Sequence, residues 1–282
     1  MDGPTNNDLY AAVDDRRSSS SLTAIDAGLR RAHRIATAEG MVGERDLAEV
    51  LSTFRIGTVS RLIDLGCGSA GPSTAMARET GCSVVAIDIS QARLDRVDRT
   101  VSISPLCADL NRGVPLHGPA FDGALQFDSI VHIEAKDHYL SDVRRLLRPG
   151  GRLAITSSTN GPLDDEARRR LGDVRGTIWR LSTEALLAAI TAAGFTVESV
   201  RSRREQVLRW HESRRDALAE GKSELLSEMR AEEYQHALDR SSSVAELLGQ
   251  NRLDMVFVAA VLPISWTAKL AIKPWVGVRR LF

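Results

Sequence analysis

Three aspartates and one glycine-rich turn are the residues of this chain best placed to do chemistry. Leu62-Ile63-Asp64-Leu65-Gly66-Cys67-Gly68-Ser69-Ala70-Gly71 is an apolar strand running into G-x-G-x-x-G and then a helix. Glycines at such a junction let the backbone turn tightly and approach a ligand, and the helix start offers free amide donors. Dehydrogenases share the motif, and a plain strand-to-helix turn explains it as well. Asp64 separates these readings, because a carboxylate two residues before Gly66 suits a cationic ammonium and repels a pyrophosphate. Asp88 closes the next apolar run, Val84-Val85-Ala86-Ile87-Asp88, where an acid accepts both hydroxyls of a ribose. Asp109 closes Pro105-Leu106-Cys107-Ala108-Asp109, where it can accept a hydrogen bond from an exocyclic adenine amine. Singly, each aspartate reads equally well as a helix cap or turn residue. Jointly they line three consecutive strand ends, the edge where open α/β sheets bind ligands, and they fit an aminoacyl nucleoside.

Short apolar runs alternating with helical patterns must position these groups, the mark of parallel βαβ units. The runs predict strands at 61–65, 83–89, 102–108, 123–127 and 151–157. Pro72 stands just inside a helix that Gly81 ends, and helices over 137–147 and 183–193 stop before Pro149-Gly150-Gly151 and at Gly194. Between the second and third strands, Gln91–Thr100 leaves room for about two to three helical turns. Two further strands are expected at 195–200 and 254–262, separated by a charged stretch far longer than an ordinary loop. Trp210, Leu218, Leu225, Met229 and Leu238 recur there at helical offsets, so amphipathic helices over about 206–249 should cap one end of the sheet. Ahead of the domain at 59–263, helical patterns occupy 22–58 behind a polar leader at 1–21, and a basic, aromatic tail closes the chain at 264–282.

Composition narrows the function classes. The 282 residues, 43% of them apolar, are enough for one main core. Lys and Arg number 37 against 37 Asp and Glu, so no net field gathers phosphate backbones or anionic lipid, and nucleic acid is not an expected partner. Cys67, Cys82 and Cys107 lack metal-ligand spacing and read as buried, reduced thiols, and no metal is expected. Residues 1–21 have no apolar signal core and no run is long enough to span a membrane, so a cytoplasmic protein is expected, with a homodimer left open.

From Leu62 to about Val200, and again at 254–262, the chain resembles the class I S-adenosylmethionine-dependent methyltransferases. The resemblance implies an α/β fold, a Rossmann-like seven-stranded, mostly parallel sheet with helices on both faces, and S-adenosyl-L-methionine as cofactor. It implies that Asp64, Gly66, Cys67 and Gly68 hold the methionine end, Asp88 and Ile89 the ribose, and Asp109 and Leu110 the adenine. Phe121-Asp122-Gly123-Ala124-Leu125-Gln126 matches the fourth strand, whose end at Gln126 borders the reactive methyl, and Leu146–Leu153 matches the entry to the fifth. The stretch Asp128-Ser129-Ile130-Val131-His132 is similar to the acidic-Ser-x-x-His of sterol, tocopherol and ubiquinone-like small-molecule methyltransferases, with Asp for the more usual Glu. His132 is then the candidate base or acceptor-polarising group, and Asp128 the next. A helix cap at His132 and a backbone contact at Asp128 are the plain alternatives. Trp179, Trp210 and His211 read either as acceptor-pocket walls or as helix-packing aromatics. The expected activity is methylation of an O, N or C atom of a small metabolite. Its rivals are a regulatory or partner protein that only binds the cofactor, and a nicotinamide dehydrogenase, which Asp64 disfavours.

Overall fold

Strand order reverses in the middle of the sheet, and that reversal positions the site. The strands are β1 (Arg61–Leu65), β2 (Ser83–Asp88), β3 (Ile103–Cys107), β4 (Phe121–Phe127), β5 (Leu147–Asn160), β6 (Thr196–Ser202) and β7 (Leu253–Val261), in the order β3-β2-β1-β4-β5-β7-β6. β1 to β5 pair in parallel, while β7 runs antiparallel between β5 and β6. β1 and β4 lead their connections away in opposite directions, so a crevice opens beyond their carboxyl ends. This computed structural model describes residues 20–34, 41–160, 163–171 and 178–264; of the leader expected at 1–21 and the tail expected at 264–282, residues 1–19 and 265–282 lie outside them.

Ten helices are found among the described residues: α1 (Ser20–Ala32), α2 (Glu44–Phe54), α3 (Gly71–Thr80), α4 (Gln91–Leu94), α5 (Lys136–Leu146), α6 (Asp165–Arg170), α7 (Thr183–Ala192), α8 (Arg204–Glu220), α9 (Lys222–Glu228) and α10 (Ala231–Gly249). Strand alternation sends Ile63, Leu65, Ala124 and Ile155 to one face, where α5 and α7 pack Leu140, Val143, Leu186 and Ile190 on them. Leu62, Val84, Leu125 and Ala154 go to the other face, under α2 and α3 with Leu47, Val50 and Met76. Gly123 has a packing reason to lack a side chain, since a Cβ there would lie 2.6 Å from the Phe54 ring of α2. α8 and α10 pack against each other, α8 also against α1 and α10 against α6.

Four expectations need correction. The helix after β2 is the single turn α4, because the chain leaves it after Leu94 for a turn in which Asp98 Oδ1 accepts from Thr100 N at 2.8 Å. Cys107 is exposed, unlike buried Cys67 and Cys82, because it ends β3 on the sheet edge. β5 runs on to Asn160, since β7 pairs with it from Arg152↔Val261 to Asn160↔Leu253. The first helix begins at Ser20, ahead of the expected 22. No helix among the described residues is long and apolar enough to cross a membrane.

Candidate active site

Backbone geometry shapes the glycine turn before any side chain contributes. Gly66 and Gly68 take φ of +70° and +59°, a region that disfavours residues with a Cβ. Gly66 N and Cys67 N both donate to Ile87 O, at 2.7 and 2.9 Å, which binds the turn to the end of β2. Asp88 completes the clamp from the same strand: Oδ2 accepts from Gly68 N at 2.8 Å and Oδ1 from Ser90 N at 2.9 Å. A carboxylate has about four lone-pair sites, so two remain for hydroxyls of a ligand.

Beyond these strand ends lies a cleft enclosing about 750 Å³ of space, part of it open solvent. Gly66, Gly68, Asp88 and Ile89 form one wall, Asp109, Leu110 and Asn111 the next, and Asp128, Ser129 and His132 close it from the end of β4. Asp109 Oδ1 accepts from Asn111 N at 3.0 Å. Asn111 in turn donates through Nδ2 to His132 O at 2.9 Å and accepts from Glu134 N at 2.9 Å, which ties the two walls together.

Six of the nine residues expected to hold the cofactor therefore meet at one cleft: Gly66, Gly68, Asp88, Ile89, Asp109 and Leu110. The other three do not line it. Asp64 is buried and its Oδ2 accepts from Ser73 Oγ, fastening β1 to the first turn of α3. Cys67 is buried with Sγ directed to Gly68 O at 3.4 Å. Gln126 is fully buried within β4, and neither Nε2 nor Oε1 has a partner among the described residues.

Asp128 and His132 are brought together at the cleft. Asp128 adopts φ +57°, rare for a residue with a side chain, so the end of β4 holds local strain where function is expected. Its N–H donates to Thr156 O at 2.8 Å and its Oδ1 accepts from Ser158 N at 3.2 Å. Burial pushes its carboxyl above the usual range, against the opposing pull of the Arg180 and His132 charges, the Ser158 bond and Arg203. His132 ends a 3₁₀ turn, Ile130–His132, and does not serve as the N-cap of α5, a position held by Ala135.

Several residues at this site escaped the sequence reading. Ser129 Oγ donates to Leu65 O at 2.7 Å and lies against Gly66. Its only signal was its place in the acidic-Ser-x-x-His stretch. Lys136 Nζ donates to Ile133 O at 2.7 Å and to Trp179 O, while Trp179 N donates to Val131 O at 2.7 Å. Together these bonds strap the segment before α7 onto the His132 turn, and Arg180 on that strap donates to Ser158 Oγ at 3.1 Å. Burial pushes Lys136 down to about 8.

Trp179 thus belongs to the strap, whereas Trp210 and His211 lie within the helical cap. Their rings meet edge to face at 4.7 Å, and the Arg214 guanidinium stands 5.5 Å over Trp210 while pairing with Asp26 at 2.7 Å.

Residues 63–155 match the methyltransferase domain family. An O-methyltransferase of Pyrenophora dematioidea is 28% identical to this chain over 162 residues, 55% of this chain and 61% of that one. Methyltransferase GfsG of Streptomyces halstedii is 31% identical over 132 residues, 44% of this chain and 48% of that one. The chain thus spans about half to three-fifths of these two curated relatives. Phosphoethanolamine N-methyltransferase 2 of Haemonchus contortus shares the fold with a TM-score of 0.71 at 21% identity, over 84% of this chain and 57% of that one.

Proposed function

We propose that the protein transfers a methyl group from S-adenosylmethionine to an oxygen, nitrogen or carbon atom of a small metabolite. The observation that carries this reading is the double role of Asp88, which fastens the glycine turn through Gly68 and still opens onto the cleft between Gly66 and Asp109. Asp88 and Ile89 would hold the ribose, Asp109 and Leu110 the adenine, and the turn at Gly66 and Gly68 the methionine end. Bound there, the cofactor supplies a methyl on a cationic sulfur, already activated for displacement.

What remains for the protein is to hold an acceptor in line, worth roughly 7–11 kcal/mol of barrier. Where the acceptor must also lose a proton, a base adds a factor of about 10²–10⁴. His132 and Asp128 stand at the end of β4 for that work. The balance of 37 basic and 37 acidic residues supports a small acceptor in place of nucleic acid. The test is incubation with methyl-labelled S-adenosylmethionine and a panel of hydroxylated, amino and prenyl metabolites, alongside calorimetric titration with S-adenosylhomocysteine. Labelled product is expected. Tight S-adenosylhomocysteine binding with no transfer to any acceptor would instead mark a protein that only binds the cofactor.

A further inference from the structure

A ring of hydrogen bonds links the strand exits around the cleft. Gly66 N donates to Ile87 O and Gly68 N to Asp88 Oδ2, joining the exits of β1 and β2. Ala108 N donates to Asp88 O at 3.0 Å, joining β2 to β3. Ser129 Oγ, donating to Leu65 O, joins β1 to β4. Closure of the ring then needs one link between the exits of β3 and β4, which two intervening strands keep apart. Asn111 supplies it, with Nδ2 donating to His132 O and Oδ1 accepting from Glu134 N, both at 2.9 Å.

The segment that receives this link is a single 3₁₀ turn, Ile130–His132, whose inner bonds run from His132 N to Ser129 O at 3.0 Å and from Ile133 N to Ile130 O at 3.1 Å. One turn does not hold itself, because few bonds offset the cost of fixing its dihedrals. Anchors from other elements hold it: Val131 O accepts from Trp179 N, His132 O from Asn111 Nδ2 and Ile133 O from Lys136 Nζ. Lys136 is the costliest of these. It is buried, and no carboxylate pairs with it among the described residues, so its bonds to Ile133 O and Trp179 O answer an ammonium taken out of water. An apolar side chain would fill the same place without that cost, so packing alone does not account for a lysine there.

We infer that Asn111 and Lys136 are positioning residues: they grip the successive peptides of His132, Ile133 and Glu134, one from the exit of β3 and one from α5, and that grip sets where the His132 side chain stands in the cleft. The inference rests on the methyl-transfer reading. An in-line displacement is sensitive to placement, and an error of about 1 Å costs about 10²-fold in rate. Asn111 carries a second consequence. Its own N–H donates to Asp109 Oδ1 at 3.0 Å, so one residue is bound both to the wall assigned to adenine and to the peptide that carries His132. A ligand that steadies Asp109 and Leu110 therefore also steadies the Glu134 N–H bond.

The test is the imidazole NMR spectrum of the full chain, isotopically labelled at its six histidines, in which the His132 signal is the one missing from H132Q. N111L loses both side-chain bonds, N111D keeps an oxygen for Glu134 N but has no donor for His132 O, and K136M keeps the aliphatic stem without the ammonium. Each should displace the His132 signal while those of His211 and His236 in the helical cap stay in place. Loss of stability alone would leave the His132 signal of the folded protein where it was. Saturating S-adenosylhomocysteine should slow hydrogen exchange at Glu134 N–H at least fivefold in the parent, and by less than twofold in N111L. Asn111 is exposed, so its variants carry the test even where K136M fails to fold. A His132 signal at its parental position in N111L or in folded K136M overturns the inference, as does Glu134 exchange left unaltered in the parent by bound S-adenosylhomocysteine. Absence of S-adenosylhomocysteine binding counts instead against the methyl-transfer reading, and the ligand-free spectra still decide the grip on His132.

Discussion

Ser129 fills the space that a side chain on Gly66 would need: a Cβ there would lie 2.5 Å from Ser129 Cβ and 2.6 Å from its Oγ. The pair joins the exits of β1 and β4 at the point where strand order reverses, and Ser129 Oγ fixes the contact by donating to Leu65 O.

Gly66→Ala should therefore fail for two separable reasons. The φ of +70° costs a residue with a Cβ about 1–2 kcal/mol, and the clash with Ser129 adds to it. We expect a loss of about 2 kcal/mol or more by urea unfolding, and at least tenfold weaker S-adenosylhomocysteine by calorimetry. Adding S129A should recover part of the stability, since only the dihedral strain remains. A double variant no more stable than G66A would show that the contact is not the cause.

Asp88→Asn tests the clamp on the glycine turn. Both carboxylate oxygens accept backbone N–H groups, from Gly68 and Ser90, and an amide can accept only one of these while turning an N–H₂ toward the other. A buried donor left without an acceptor costs about 1–3 kcal/mol. We expect that loss in stability and at least tenfold weaker S-adenosylhomocysteine, because ordering of the turn and ribose contact fail together. Unaltered affinity would remove Asp88 from the donor site.

Gly66, Gly68 and Asp88 were legible in the sequence because each is demanded by a local constraint: a turn at positive φ, or an acid at a strand end. Asp64 shows the limit of that logic. Its charge suggested a ligand, but a strand-end carboxylate is satisfied as well by a hydroxyl in the following helix, and Ser73 supplies one. The contact of Ser129 with Gly66 joins distant stretches, and no local pattern announces it. Arg203 was the least legible residue. In a charged stretch it reads as a solvated side chain, and only the fold reveals that it is buried against Asp46, a helix position whose apolar neighbours alone drew attention.

His211 should make the protein acid-labile. Burial, and then the Arg214 and Arg240 charges, push its pKa from 6.5 down to about 3, and Nδ1 is buried without a partner among the described residues. Between those values the unfolded chain binds a proton that the folded chain refuses, so stability is full above 6.5 and falls as pH drops toward 3. The slope for one such group approaches about 1.4 kcal/mol per pH unit. His211→Leu has nothing to titrate, and its urea midpoint should fall less steeply than that of the parent between pH 6.5 and 4.5. Parallel curves would show that His211 takes up its proton equally in both states.

Gln126 poses the converse question of a polar residue held where it has no partner. It is fully buried in β4, paired in register with Ile155, and both amide heavy atoms lack hydrogen bonds among the described residues. Each such group carries a desolvation cost of about 1–3 kcal/mol, which a leucine of similar bulk avoids. Gln126→Leu should therefore raise stability by about 1 kcal/mol or more. Because the cleft is bounded by Phe127 and Asp128 and not by Gln126, S-adenosylhomocysteine affinity should stay within twofold. The two measurements discriminate sharply: a stability gain at constant affinity makes the amide a polar intrusion in the core. A fivefold or greater loss of affinity would instead put it beside the donor, as the resemblance of the fourth strand implies.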